Sequence, residues 1–165
     1  MSLGLHFLFE NSLFLGIATG YLAITAWGWR EVNAYELPRP LPGWFKYWFG
    51  SVQILGILPP LGALMWGIWQ GESLVWQIFA SYFLMLGFQI LSEFVTLRKL
   101  SSVVWVMVPY LYLPYRFWQL GEGLSLIGEQ ADLAWVALVL ILELVVWMIN
   151  FLLDLAQLPR LLQWK

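Results

Sequence analysis

The chain has no cysteine and a single histidine. Disulfides, thiol nucleophiles and zinc–thiolate centres are therefore excluded, and no metal cluster can be built from histidines. Charge is scarce too. Only 11% of the 165 residues are Asp, Glu, Lys or Arg, where a soluble domain carries about 25%. The 8 Lys and Arg stand against 10 Asp and Glu, which leaves no basic footprint, so no nucleic-acid partner is expected. Polar low-complexity sequence is missing as well, and disorder with it. What is present is apolar: 61% hydrophobic residues, 18% aromatic, 12 tryptophans and a mean hydropathy of +0.75. A chain so short of charge cannot cover itself in water. It reads as an all-α, polytopic integral membrane protein, one transmembrane helical domain over residues 1–165.

A helix needs about 20 apolar residues to cross a hydrocarbon core of about 30 Å. Five runs qualify: Leu3–Trp27, Tyr47–Trp69, Leu74–Leu97, Val103–Leu120 and Leu133–Leu155. The fourth is the shortest and carries Pro109 and Pro114; the second carries Pro59 and Pro60. A proline inside a helix removes a donor and clashes with the preceding turn, so the second and fourth helices are expected to be kinked. With five spans, Arg30, Arg39, Lys46, Arg98, Lys99, Arg160 and Lys165 gather on one side. Glu72, Glu122, Glu129 and Asp132 fall on the other, where Arg116 is expected to snorkel. The positive-inside rule then puts the N-terminus outside and the C-terminus inside. The first run is long and lacks a basic leader or small-residue cleavage pattern, so it is expected to be a retained helix in a bacterial inner or thylakoid-like membrane. Trp27, Trp29, Trp44, Trp48, Trp69, Trp76, Trp118 and Trp135 lie near span ends, as an interfacial belt would. Pro38, Pro40 and Pro42 stiffen the first long loop, and Gly121–Asp132 forms a second, acidic one.

Ionisable groups at membrane depth cost about 2.5–3.5 kcal/mol each on insertion scales, so each needs a reason. In the fifth run, Glu143, Trp147, Asn150 and Asp154 are spaced by 4, 3 and 4, which puts them on one helical face. In the third, Gln89 and Glu93 continue a stripe that starts at Tyr82 and ends at Thr96, with Arg98 and Lys99 beyond. Tyr110, Tyr112 and Tyr115 of the fourth run are the expected donors to Glu143. A ligand site built on Glu143, Trp147, Asn150, Asp154, Tyr110, Tyr112, Gln89 and Glu93 follows from these stripes. The bland reading makes Glu143 interhelical glue and Glu93 an interfacial ion-pair partner.

His6 and Glu10 stand one turn apart, half of a metal site with no second histidine to complete it. His6 is a candidate axial ligand for a pigment or haem, for which one imidazole suffices; an interfacial hydrogen-bonded pair is the simpler account. No resident metal is expected. Gly16 and Gly20 form a GxxxG face on which another subunit, or a second copy, can pack.

Five spans, this length and the tryptophan content resemble the tryptophan-rich sensory protein family, and Pro42–Gly43–Trp44–Phe45 is similar to that family's Pro-Gly-Trp segment. The likeness covers about ten residues. Lys46–Gly50 departs from the family's next aromatic-proline element, its Trp-Ser-Pro segment is absent, and Pro109–Tyr110–Leu111 falls in the fourth span rather than the last. Val108–Tyr115 and Trp44–Phe45–Lys46 are also similar to the sigma-2 receptor/emopamil-binding family, whose intramembrane acids are replaced here by Ser51, Val52 and Gln53. Neither resemblance transfers a site residue.

With short loops, no soluble domain and no catalytic constellation, the sequence points first to a non-enzymatic accessory or assembly subunit of a larger membrane complex. The alternative is a binder or carrier of a hydrophobic ligand (tetrapyrrole, carotenoid, quinone or sterol-like lipid) at the Glu143 stripe. The third is a small proton-coupled transporter or intramembrane enzyme using Glu143. Bound lipid, pigment or haem are the cofactors these readings allow.

Overall fold

The computed structural model describes residues 2–31, 35, 43–128 and 130–162. Pro38, Pro40, Pro42, Arg39, Glu129 and Lys165 lie outside them. The described chain is all-helical, with no strand. Six α-helices follow in order: α1 Leu3–Gly28, α2 Gly43–Leu55, α3 Leu58–Gln70, α4 Ser73–Phe94, α5 Val108–Ile127 and α6 Ala134–Leu161. A π-helical turn, Val95–Lys99, prolongs α4, and 3-10 turns at Val103–Met107 and Ala131–Leu133 lead into α5 and α6.

Local chemistry sets most of the boundaries. The Ser2 hydroxyl caps α1 by accepting from the Leu5 amide at 3.4 Å. Gly71, at φ 72°, ends α3 in the left-handed region. Its neighbour Glu72 donates to the Gly67 carbonyl at 2.9 Å and Gly71 donates to Ile68 at 3.3 Å, the paired bonds of a Schellman turn. The second apolar run is divided at Gly56 and Ile57. Pro60 has no N–H to offer the Gly56 carbonyl four residues back. That carbonyl is taken instead by the Tyr82 hydroxyl of α4 at 2.7 Å. Pro114, in contrast, sits inside a continuous α5.

Four helical stretches are long and apolar enough to cross a membrane: Leu3–Gly28, Lys46–Gln70, Ser73–Lys99 and Ala131–Leu161. The fourth run expected from the sequence, now α5, is not among them. It is nevertheless 20 residues long, about 30 Å at 1.5 Å per residue. Near one end its Tyr110 hydroxyl reaches the Asp154 carbonyl of α6, and near the other its Glu122 reaches His6 of α1. Its hydropathy is lowered by the stripe Tyr112, Arg116 and Gln119, which is buried against the neighbouring helices.

The outer faces are rich in exposed apolar side chains, and the mostly apolar core also takes in polar groups. Asn11, Ser81, Gln89, Thr96, Arg116, Gln119 and Glu143 are buried, while Leu8, Phe9, Ile17, Ile24, Met65 and Leu138 stand exposed on the outer faces. Helices approach closely where side chains are small. A Cβ on Gly67 would lie 2.9 Å from the Trp76 backbone nitrogen, and one on Gly56 would lie 2.9 Å from Trp147 Cζ2. By the same measure Gly16 and Gly20 have open space in front of them. Among the described residues, nothing packs against Gly16 and Gly20 of α1.

Candidate functional site

The interior holds a file of polar clusters that runs the length of the bundle. At the end where α1 begins, His6 Nε2 lies 2.7 Å from Glu122 Oε1 and 3.4 Å from Glu10 Oε1. Their ligand atoms all fall within 4.8 Å of one another. Glu122 of α5 therefore supplies the third carboxylate or imidazole group that sequence spacing could not find. Nε2 faces these carboxylates, so an axial ligand role for His6 falls to Nδ1.

One turn deeper, Asn11 donates to the Ser81 hydroxyl at 2.8 Å, and its carbonyl oxygen accepts from Tyr115 and from Gln119, each at 2.9 Å. This cluster joins α1, α4 and α5, and none of it was anticipated as a unit. Its sequence signal was the period of α5: Tyr112, Arg116, Gln119 and Gly123 recur at helical spacing and all are buried.

At the centre, Glu143 is 0% exposed. Its Oε2 lies 3.1 Å from the Tyr82 hydroxyl and accepts from Trp147 Nε1 at 3.0 Å. The expected tyrosine donors of α5 serve other groups. Tyr110 bonds the Asp154 carbonyl, Tyr112 pairs with Ser92 at 3.0 Å, and Tyr115 bonds Asn11. The reason is register, because α4 presents Tyr82 at the level of Glu143. Tyr82 has one hydrogen for two acceptors, Glu143 and the Gly56 carbonyl, so the proline break and the carboxyl are tied through one side chain.

Arg116 does not snorkel to the surface. It is 1% exposed. Its guanidinium lies over the Trp147 ring, 4.1 Å from the centroid, and 5.4 Å from that of Tyr82. One Nη2 donates to Gln89 Oε1 at 2.8 Å, while Gln89 Nε2 donates to Glu93 Oε1 at 2.8 Å. A desolvated guanidinium is held here by aromatic faces and by an amide relay to a carboxylate. Its Nε and Nη1, and Glu143 Oε1, have no protein partner.

Beside this centre, a cavity of about 780 Å³ opens between α2, α4, α6 and the segment that leads into α5. Its floor includes Val52, Ile57, Leu86 and Trp147, and its walls carry Trp48, Phe49 and Trp105. Tyr110, Gln89, Glu93, Asn150 and Asp154 also line it. Asn150 Nδ2 donates to Asp154 Oδ2 at 3.0 Å, and Trp48 Nε1 donates to Asn150 Oδ1 at 3.3 Å. Six of the eight residues expected at a ligand site, Trp147, Asn150, Asp154, Tyr110, Gln89 and Glu93, thus share one cavity. Glu143 and Tyr112 stand outside it, Glu143 being hydrogen-bonded to the indole nitrogen of Trp147. Lys46 of α2 and Gln157 and Arg160 of α6 also line the cavity. Nearby, outside the long helices, the Tyr35 hydroxyl donates to the Leu161 carbonyl at 3.0 Å, and burial pushes its phenol pKa up.

No family model, curated protein or solved structure matches this chain. The site's chemistry therefore has to be read from its own groups. His6 is the chain's one imidazole and its near neighbours are carboxylates, so it is in no arrangement to activate a serine. The cavity has the size and the composition of a small-molecule pocket, mostly apolar and aromatic with a few convergent polar groups.

Proposed function

We propose that the chain is a multi-pass membrane protein that binds a hydrophobic ligand in the cavity between α2, α4 and α6. The observation that carries this reading is the 780 Å³ cavity itself, with aromatic walls and polar groups from α4, α5 and α6. The exposed apolar outer faces support the membrane. An end-to-end α5 supports a fifth crossing; the chain's two ends then lie on opposite sides, and the distribution of Lys and Arg favours the N-terminus outside and the C-terminus inside, with a bend in the second crossing at Gly56–Ile57. A bacterial inner or thylakoid-like membrane is the corresponding location, and fractionation of the native membrane tests it.

Saturable binding of a hydrophobic probe to the purified protein in lipid nanodiscs is the direct test. Ile57→Trp fills the cavity floor and should remove binding. Trp69→Leu, at a side chain 82% exposed on the outer surface, should leave it intact. Binding unmoved by Ile57→Trp would place the ligand elsewhere and end this reading.

A second reading, an accessory subunit of a larger membrane complex, is favoured by the open space in front of Gly16 and Gly20. It predicts co-elution with partner subunits, or with a second copy, after mild-detergent extraction. Elution as a single small particle, with unchanged levels of every membrane complex in a deletion strain, would exclude it.

A further inference from the structure

We propose that the occupant of this cavity is a lipophilic cation, an organic ammonium or phosphonium with an apolar body, held between Glu93 and Asp154. The proposal rests on the cavity being the ligand site and adds the charge of the ligand.

The argument starts from the two carboxylates. Both are half-buried and both line the cavity, Glu93 from α4 and Asp154 from α6. Each is met by a neutral amide donor one turn away, Gln89 for Glu93 and Asn150 for Asp154. Among the described residues the ion pairs join His6 with Glu10, His6 with Glu122, and Arg30 with Glu31. Neither cavity carboxylate takes part in one. Arg116, the deeply buried cation among the described residues, lies near enough to Glu93 for their charges to act on each other, but it is hydrogen-bonded to the Gln89 amide rather than to the carboxylate and is stacked on Trp147, so it leaves the cavity side of Glu93 without an ion pair. Intramembrane carboxylates are expensive and are normally paired. Here the missing partner has a space in which to sit.

The rest of the cavity suits the same ligand. Trp48, Phe49 and Trp105 line the same cavity with aromatic rings, and a ring quadrupole attracts a cation most when both are desolvated. Val52, Ile57 and Leu86 offer the floor an apolar body needs. A volume of about 780 Å³ holds a drug-sized molecule. Lys46 and Arg160 at the lining argue for an anion instead, but Arg160 is already engaged within the chain. Lys46 is exposed to solvent, where its field is screened, whereas the half-buried carboxylates act through a lower effective dielectric.

The test uses the full chain in nanodiscs and isothermal titration with three probes of similar shape: tetraphenylphosphonium, tetraphenylborate and neutral triphenylphosphine oxide. The expected result is saturable tetraphenylphosphonium binding that is tighter than that of either other probe. Glu93→Gln and Asp154→Asn should each weaken the cation by about tenfold, the size of one lost charge–charge attraction at a partly buried site, and leave the neutral probe unchanged. Size-exclusion elution and the thermal transition of each variant establish that it is folded. Equal or tighter binding of the borate or the neutral probe overturns the proposal, as does a cation affinity indifferent to both substitutions. If the neutral probe binds and Ile57→Trp blocks it while the cation gains nothing, the cavity reading survives and only the charge assignment fails. If no probe responds to Ile57→Trp, both fail.

Discussion

Arg116 is the side chain on which the interior depends most. It is buried beside Glu143 and Glu93, and it shares Tyr82 and Trp147 with Glu143 as contact partners. Breaking a buried charge arrangement by removing one member costs about 3–5 kcal/mol, because the remaining charge is left uncompensated. Arg116→Leu should therefore destabilise the protein by that amount in a denaturant titration in micelles. Adding Glu143→Leu should recover a large part of the loss; strict additivity of the two would show that they do not communicate. Tyr82→Phe strips a donor from both the Gly56 carbonyl and Glu143 and should cost about 1–3 kcal/mol. Here sequence reading was partly successful. The face shared by Glu143, Trp147, Asn150 and Asp154 followed from helical spacing. The partner of Glu143 did not, because spacing within a helix says nothing about the register between helices.

Among the helices, α2 and α3 show how a proline is accommodated. Pro60 frees the Gly56 carbonyl and Tyr82 takes it up. Restoring the donor with Pro60→Ala should make Tyr82→Phe cheaper than it is in the parent, a sub-additive pair in the same titration. The α3–α4 hairpin depends instead on a small residue. Gly67→Ala pushes a methyl group onto the Trp76 backbone and Val75, an overpacking worth about 1–3 kcal/mol. Gly87→Ala meets nothing within 4 Å and should be neutral or stabilising by up to about 1 kcal/mol, from helix propensity alone. Thermal unfolding of the two variants side by side checks both signs. The apolar runs that became α1, α2–α3, α4 and α6 were all readable, since length and hydropathy suffice for them. α5 was harder. Its polar groups depress its hydropathy, although Tyr112, Arg116 and Gln119 already recur at helical spacing.

The assembled bundle has an apolar exterior and a mostly apolar core threaded by polar groups, with nothing among the described residues in front of Gly16 and Gly20. Gly16→Leu with Gly20→Leu fills open space and should leave the unfolding temperature of the isolated chain unchanged. The same pair should shift the native assembly to a smaller size on blue-native electrophoresis if another helix packs there; an unchanged size would remove α1 from any interface. The cavity also belongs to this level. Its lining comes from α2, α4, α6 and the start of α5, separated along the chain by more than a hundred residues between Lys46 and Asp154.

Composition and its apolar runs pointed to an all-helical chain with five crossings, and four of those runs are helices long and apolar enough for a membrane, since the cost of charge in hydrocarbon leaves its mark on every stretch of sequence. Periodicity alone put Glu143 with Asp154, and Gln89 with Glu93, because a helix fixes which of its own residues are neighbours. The burial of Arg116, the bond from Tyr82 to the carbonyl that Pro60 frees, and the meeting of Glu93 and Asp154 around one cavity required the fold. Each depends on the rotation and axial shift of one helix against another, and those are set by packing between side chains that lie far apart in the chain.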